Sequence, residues 1–276
     1  MTPNLSILAM SLAAMANAPA HSAPAVASGA WHVDYDDEQC VASRTYGESD
    51  KPIYMVLKPS PAGGVMRLII SRRGGGEAAQ VAAKIRLGDQ SNIKTNVLAY
   101  GEPNKHQRVV TANLSMAEFK THATTPWIQI TSPELSGVFP TPGLLKVVAA
   151  LDECLTDLQD YWNVRADRQL AVQHEVSPTQ PLTPLFSASD YPMVAMVHSQ
   201  SGTVKVGVLV DDTGRVADCS VESTSDVASL DTMTCYVIRT RAKFIPAIDA
   251  NGKPVRSYFS QSITWRLGPP SNKRSK

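Results

Sequence analysis

Four cysteines, Cys40, Cys154, Cys219 and Cys235, are the side chains best suited to covalent chemistry in this 276-residue chain. None of them forms a Cys-x-x-Cys motif, so the spacing of zinc ribbons and thioredoxin-type redox pairs is missing. An even count suits two structural disulfides in an oxidising compartment. Three connectivities are open. Placement favours Cys40–Cys154 and Cys219–Cys235, one bond within each half of the chain. Other chemistry-bearing residues are weaker signals. Arg73-Gly74-Gly75-Gly76-Glu77 is Gly-rich but has no following Lys-Ser/Thr and no surrounding βαβ unit, so it reads as a hairpin turn and not as a phosphate loop. The acidic run Asp34, Asp36, Asp37 and Glu38 lacks the spacing and glycine of an EF-hand and reads as a solvated turn. His32, His106, His122, His174 and His198 are scattered, without the i, i+4 spacing of a helical metal site. No Gly-x-Ser-x-Gly elbow occurs. The expectation is a non-enzyme with no cofactor and no metal.

The elements that carry these residues fall into two halves. A formal net charge of +1 and 43% apolar residues describe ordinary globular domains. They argue against a nucleic-acid surface. Residues 1–23 read as a cleaved secretory signal: Leu5 to Ala18 is apolar, and small residues recur at Ala16, Ala18 and Ala20. The run is short for a membrane span, which takes roughly 18 residues or more. An uncleaved inner-membrane anchor is the alternative. A periplasmic location follows from the export reading. Residues 268–276 form a basic tail that reads as solvated.

Residues 29–172 read as a β-rich domain with a closing helix. Strand patterns run from Trp31 to Thr131, broken by turns such as Pro59 to Gly64. Ser115 to Glu118 is a capping-box pattern for a short helix. From Thr141-Pro142 to about Trp162, apolar residues at Leu144, Val147, Val148, Leu151, Leu155 and Leu158 line one helical face. Cys154 sits by that face, within reach of a strand near Cys40. Residues 173–186 read as a linker. Pro178, Pro181 and Pro184 at every third position predict a semi-rigid polyproline II spacer.

Residues 187–267 read as a small α+β domain, with a hairpin, a helix and an edge strand. Val204, Val206, Val208 and Val210 alternate as one buried strand face. Asp211 to Arg215 is a tight turn, with Gly214 placed for positive φ. Val227, Leu230, Val237 and Ile238 mark a helical stripe, with Ser225 or Asp226 as its cap. Ser257 to Leu267 alternates again and forms a last strand, with Tyr258, Ser260, Ser262 and Thr264 on one face.

The ordered set Tyr191-Pro192, Gly202-x-Val-x-Val, Asp-x-x-Gly214-x-Val, Leu230-Asp231, Phe244-x-Pro-Ala and Gly252-x-Pro-Val resembles the C-terminal domain of the TonB family. That resemblance implies a periplasmic α+β domain that binds short segments of outer-membrane receptors by strand addition, in energy-coupled transport across the envelope. The partner would be such a receptor or another envelope protein, with a homodimer through the edge strand as a further use of the same surface. The residues it points to are Tyr191, Pro192, Tyr258, Ser260, Ser262 and Thr264. Asp190, Met193 and Val194 flank the Tyr-Pro pair where that family carries basic and amide residues. The first half faintly resembles periplasmic domains of the invasion-associated locus B type, which also join an early Trp and Cys to a late helical Cys. A periplasmic ligand-binding protein or enzyme with a pocket in the first half is the alternative reading.

Overall fold

Alternating burial builds the first half. In β2 (Cys40–Tyr46), β3 (Ile53–Pro59) and β4 (Val65–Arg73), side chains such as Ala42, Tyr46, Met55, Leu57, Leu68 and Ile70 turn inward, and their chain neighbours turn out. The same rule holds in β5 (Ala79–Leu87), in β8 (Trp127–Thr131) and, from Val110 onward, in β7 (Gln107–Ser115). With β1 (His32–Tyr35), β6 (Ile93–Glu102) and β9 (Ser136–Pro140), they form one antiparallel nine-stranded sheet in the order β1-β2-β3-β4-β7-β6-β5-β8-β9. The sheet curls into a half-barrel. Between β7 and β8 lies the short helix α1 (Met116–Thr121), where Ser115 Oγ accepts a hydrogen bond from the Glu118 N–H.

The computed structural model describes residues 25–90, 92–102, 106–164 and 172–267. The expected leader at 1–23 and tail at 268–276 lie outside them. Helix α2 (Leu144–Tyr161) closes the half-barrel with the expected stripe: Leu144, Val147, Val148, Leu151, Leu155 and Leu158 are all buried. Cys154 lies on that face and is bonded to Cys40 of β2, with the Cα atoms 6.0 Å apart. Residues 25–28 bridge the ends of the sheet. The Ala25 N–H donates to Val138 O of β9 at 2.8 Å, and Val26 O accepts from the Gly47 N–H at 2.8 Å, just beyond β2. These backbone groups satisfy strand ends that otherwise face water unpaired.

Two features differ from the expectations. The Gly74–Gly76 loop is a crossover and not a hairpin turn. β4 pairs with β3 and β7, whereas β5 pairs with β6 and β8, so the loop passes over the ends of β7 and β6. The glycines are needed because the backbone passes so close: a Cβ on Gly101 would meet Gly76 O at 2.7 Å. Strand β9 was also not expected. It carries Gly137 and ends on Pro140, both poor strand residues, so its hairpin with β8 left little strand pattern to read.

In the second half β12 (Gly202–Val210) lies between β13 (Val216–Ser223) and β17 (Ser257–Trp265), all antiparallel. Helix α4 (Ala228–Arg241) packs on β13 and β12, the second disulfide joining Cys235 to Cys219 of β13 at a Cα separation of 5.4 Å. A short helix α3 (Met193–Val197) follows Tyr191-Pro192, with Pro192 as its N-cap. The stretch 173–186 is not the extended polyproline spacer expected of it. β10 (Val172–His174) pairs with β15 (Ala247–Asp249), β11 (Ser177–Pro178) pairs with β14 (Phe244–Ile245), and Thr183–Leu185 is a 3-10 turn. The periodic prolines tolerate this because each lies at a strand end or turn, where the missing N–H is not needed. Leu182 then enters the second core, which holds the segment down. β16 (Pro254–Val255) completes the small ribbon with β15.

The two halves are packed together. Leu209, Ala217 and Tyr258 on one face of the β13-β12-β17 sheet join the apolar cluster of the first half. The hydroxyls of Ser60 and Ser220 are 3.1 Å apart, and Asn96 Nδ2 donates to Asp226 O at 3.0 Å.

The Cys40–Cys154 bond closes a separation of 114 residues. Chain entropy assigns such a loop roughly 4–5 kcal/mol of stabilisation. Replacing both cysteines by Ser is expected to lower the unfolding free energy from urea denaturation by that order, and a non-reduced digest of the wild type should yield the Cys40–Cys154 and Cys219–Cys235 peptides. A peptide crossing the two halves would contradict this pairing.

Candidate functional site: an open sheet edge

The motif residues of the second half touch one another. Gly214 has φ +82°, and a Cβ there would meet Phe244 O at 2.1 Å. The Phe244 N–H donates to Gly214 O at 3.0 Å. The turn glycine and the Phe-x-Pro-Ala segment are therefore one packing unit. Asp211 Oδ1 accepts from the Thr213 and Arg215 N–H groups, each at 2.9 Å, and this fixes the turn. The Leu-Asp pair has a similar explanation. Leu230 fills the core, and Asp231 accepts from the Ser225 N–H at 2.9 Å, from Ser225 Oγ at 2.7 Å and from Thr224 Oγ1 at 2.5 Å. Burial still pushes the Asp231 carboxyl above its usual value, against those hydrogen bonds. Ser225 thus braces the entry to α4 without being its N-cap, and Asp226 takes φ +63° and is not the cap either.

Tyr191 and the last strand are brought together by Trp265. Its indole meets Tyr191 edge-on at 5.4 Å and Phe186 at 5.3 Å, and its Nε1 donates to Thr234 Oγ1 at 2.8 Å. Tyr191 is buried, and its hydroxyl donates to Gln200 O. Pro192 starts α3 beside it. Asp190 holds this corner from the other side, with its carboxylate bonded bidentately to Arg241 at 2.7 Å on each oxygen and also accepting from Ser187. Arg241, and after it Ser187, hold the Asp190 carboxyl well below the ordinary carboxylate range.

Strand β17 pairs with β12 over its whole length, from Ser257↔Val210 to Trp265↔Gly202. Among the described residues no strand pairs with its other side. Phe259, Ile263 and Trp265 face the second core. Ser260, Ser262 and Thr264 are exposed on the opposite face, with Ser260 Oγ donating to Glu222 Oε2 at 3.0 Å and Thr264 Oγ1 lying 3.0 Å from Thr203 Oγ1. Tyr258 behaves differently from these three. It lies over Gly207, where a Cβ would come within 2.1 Å of its hydroxyl, and packs against the first half. The sequence hinted at this only through the glycine in an otherwise valine-rich strand. No group of three or more His, Cys, Asp or Glu able to hold a metal ion exists among the described residues.

The second half is thus a small antiparallel sheet with one helix packed across it, whose outer strands β13 and β17 each pair, among the described residues, only with β12. Residues 187–267 match the family model for the Gram-negative bacterial TonB protein C-terminal, so this segment is a TonB-type C-terminal domain. The match says nothing of the first half. No curated protein matches the chain. No described helix is long and apolar enough to cross a membrane, and the two disulfides fit an oxidising compartment.

Gly214→Val is expected to destabilise the second half by about 2 kcal/mol or more, from positive φ and overlap with Phe244 O. Thermal melting measures it, and an unchanged midpoint would contradict the packing unit. For Asp190, a depressed folded-state value means that its stabilisation is present above about pH 4 and lost as pH falls towards that lower value. Asp190→Asn should therefore be less stable at neutral pH and show a flatter loss of stability below pH ~4.

Proposed function

We propose that this is an exported envelope protein whose second half captures an extended segment of an outer-membrane receptor, or of another envelope protein, as a fourth strand beside β17. The observation that carries this reading is the unpaired edge of β17 on a domain of TonB type. Strand addition draws affinity from the main-chain N–H and C=O groups of such an edge, with alternate side chains supplying selectivity. The first half leaves this edge in place: it covers the Gly207–Leu209 end of the sheet face and leaves Ser260, Ser262 and Thr264 exposed. The domain acts as a binding module and not as an enzyme, in the periplasm after removal of residues 1–23.

Proline removes the N–H donor and fixes φ, so it is tolerated on an edge but blocks pairing there. Ser260→Pro and Ser262→Pro lie in the same alternating set, and Gln261→Pro tests the other register. The substitution whose N–H points away from β12 should leave the fold intact and weaken capture of an extended receptor peptide tenfold or more, about 1.5–3 kcal/mol. Peptide binding by folded variants, followed by fluorescence anisotropy, is the measurement. Full affinity in every folded variant would move the interface away from β17. Edge-to-edge dimerisation would appear in the same variants as a concentration-dependent mass lost on substitution.

A further inference from the structure

A cleft of about 1040 Å³ lies between the halves, within or just above the size range of small-molecule sites. Its floor is the outer face of β4, β7, β6 and β5. Its roof is α4 with β13, including the Cys219–Cys235 bond. Neither half forms the cleft alone. Four cations line it, Arg67, Lys84, Lys94 and Arg239, against two acids, Asp226 and Asp231. Asp231 is already occupied by Thr224 and Ser225. Lys84 and Lys94 are register partners on neighbouring strands, so two ammonium groups stand side by side on the floor. Among the described residues neither has an acidic partner.

The charge is also unbalanced beneath the cleft. Asp218 is buried, and Arg239 and Lys58 both pair with it, the latter at 3.8 Å. Arg67 is the third cation drawn to the same carboxylate. Burial holds the Arg67 and Lys58 groups below their usual values, as expected where cations lack full compensation. Gathering three cations around one carboxylate in a partly desolvated place is unfavourable unless another anion completes the set. Asn96, Asn113 and Thr111 on the floor add amide and hydroxyl groups, and Tyr236 closes the rim.

We propose that this cleft binds an anionic, hydroxyl-rich small molecule, such as a sugar acid or sugar phosphate, with Arg67 as the charge anchor and Lys84 and Lys94 as the second contact. The ligand would touch both halves and so hold the first half against the TonB-type sheet. The reading does not depend on β17, so edge variants such as Ser260→Pro should leave it unchanged.

The test is calorimetric titration of the whole mature chain with glucuronate, glucose 6-phosphate and neutral glucose. At least one anion should bind saturably and glucose should not; whichever anion binds more tightly identifies carboxylate or phosphate as the recognised group. Arg67→Met should weaken that affinity about tenfold or more, the usual effect of losing one charge-assisted contact. Lys84→Gln with Lys94→Gln, both exposed and therefore safe for folding, should weaken it by a similar factor and reduce its salt dependence. Binding of neither anion, equal binding of glucose, or affinities unchanged in the folded lysine double variant would overturn the proposal.

Discussion

Burial of β12 on both faces from Val206 to Val210 is the constraint on which the second half depends. Val204, Val206, Val208 and Val210 point at α4 and have no solvent exposure. The other face is closed by Tyr258 lying over Gly207 and by Leu209 in the cluster of the first half. A strand buried on both faces with neighbours on both edges has no freedom of register, because a one-residue slip would exchange its two faces. β13 and β17 inherit their register from it. The turn at Gly214 and the Phe244 segment are then fixed by contact with each other. A domain of about 80 residues has little core to spare. The Cys219–Cys235 bond and the apposed first half supply part of what its own core does not.

The parts of this arrangement that were legible in the sequence are those set by local period. Alternating valines marked β12, the α2 stripe marked the closing helix, and the cysteine positions anticipated both bonds. The ordered motifs of the second half were also legible as a set, and their members meet in the fold, Gly214 with Phe244 and Asp231 with Ser225. What escaped was non-local. The Gly74–Gly76 loop looked like a hairpin turn because its glycines fit one, but Gly74 and Gly76 lie against Arg108 of β7 and Gly76 against Gly101, which only the strand order brings near. The docking of 173–186 could not be read from its prolines, since proline is compatible with a free spacer and with a strand end alike. Tyr258 belonged by alternation with Ser260, Ser262 and Thr264, and only the position of the first half separates it from them.

Electrostatics divide the second half in the same way. Asp190 and Arg241 form a closed, bidentate pair at the Tyr191 corner, where each charge has its complement. Asp218 sits where the halves meet, and there the cations outnumber it. The first arrangement is what a structural brace needs. The second leaves a positive field at the foot of a cleft, which a purely structural interface would tend to neutralise.

The geometry of β17 also limits what can be added to it. Helix α4 packs mainly on β13 and β12 and meets β17 at Trp265, bonded to Thr234, so Phe259 and Gln261 remain half-exposed on the helix side. The opposite face carries only Ser260, Ser262 and Thr264 beyond Tyr258. A strand laid along this edge would alternate between a half-apolar side and a hydroxyl-lined one, as any strand must. Its apolar side chains would gain contact only on the helix side, near Phe259 and the Phe186–Trp265 pair. The hydroxyl-lined face would reward polar residues and leave apolar ones in water. An added strand would therefore need period-two polarity in one register, and the exposed serines and threonine would make this edge a poor template for indiscriminate apolar pairing.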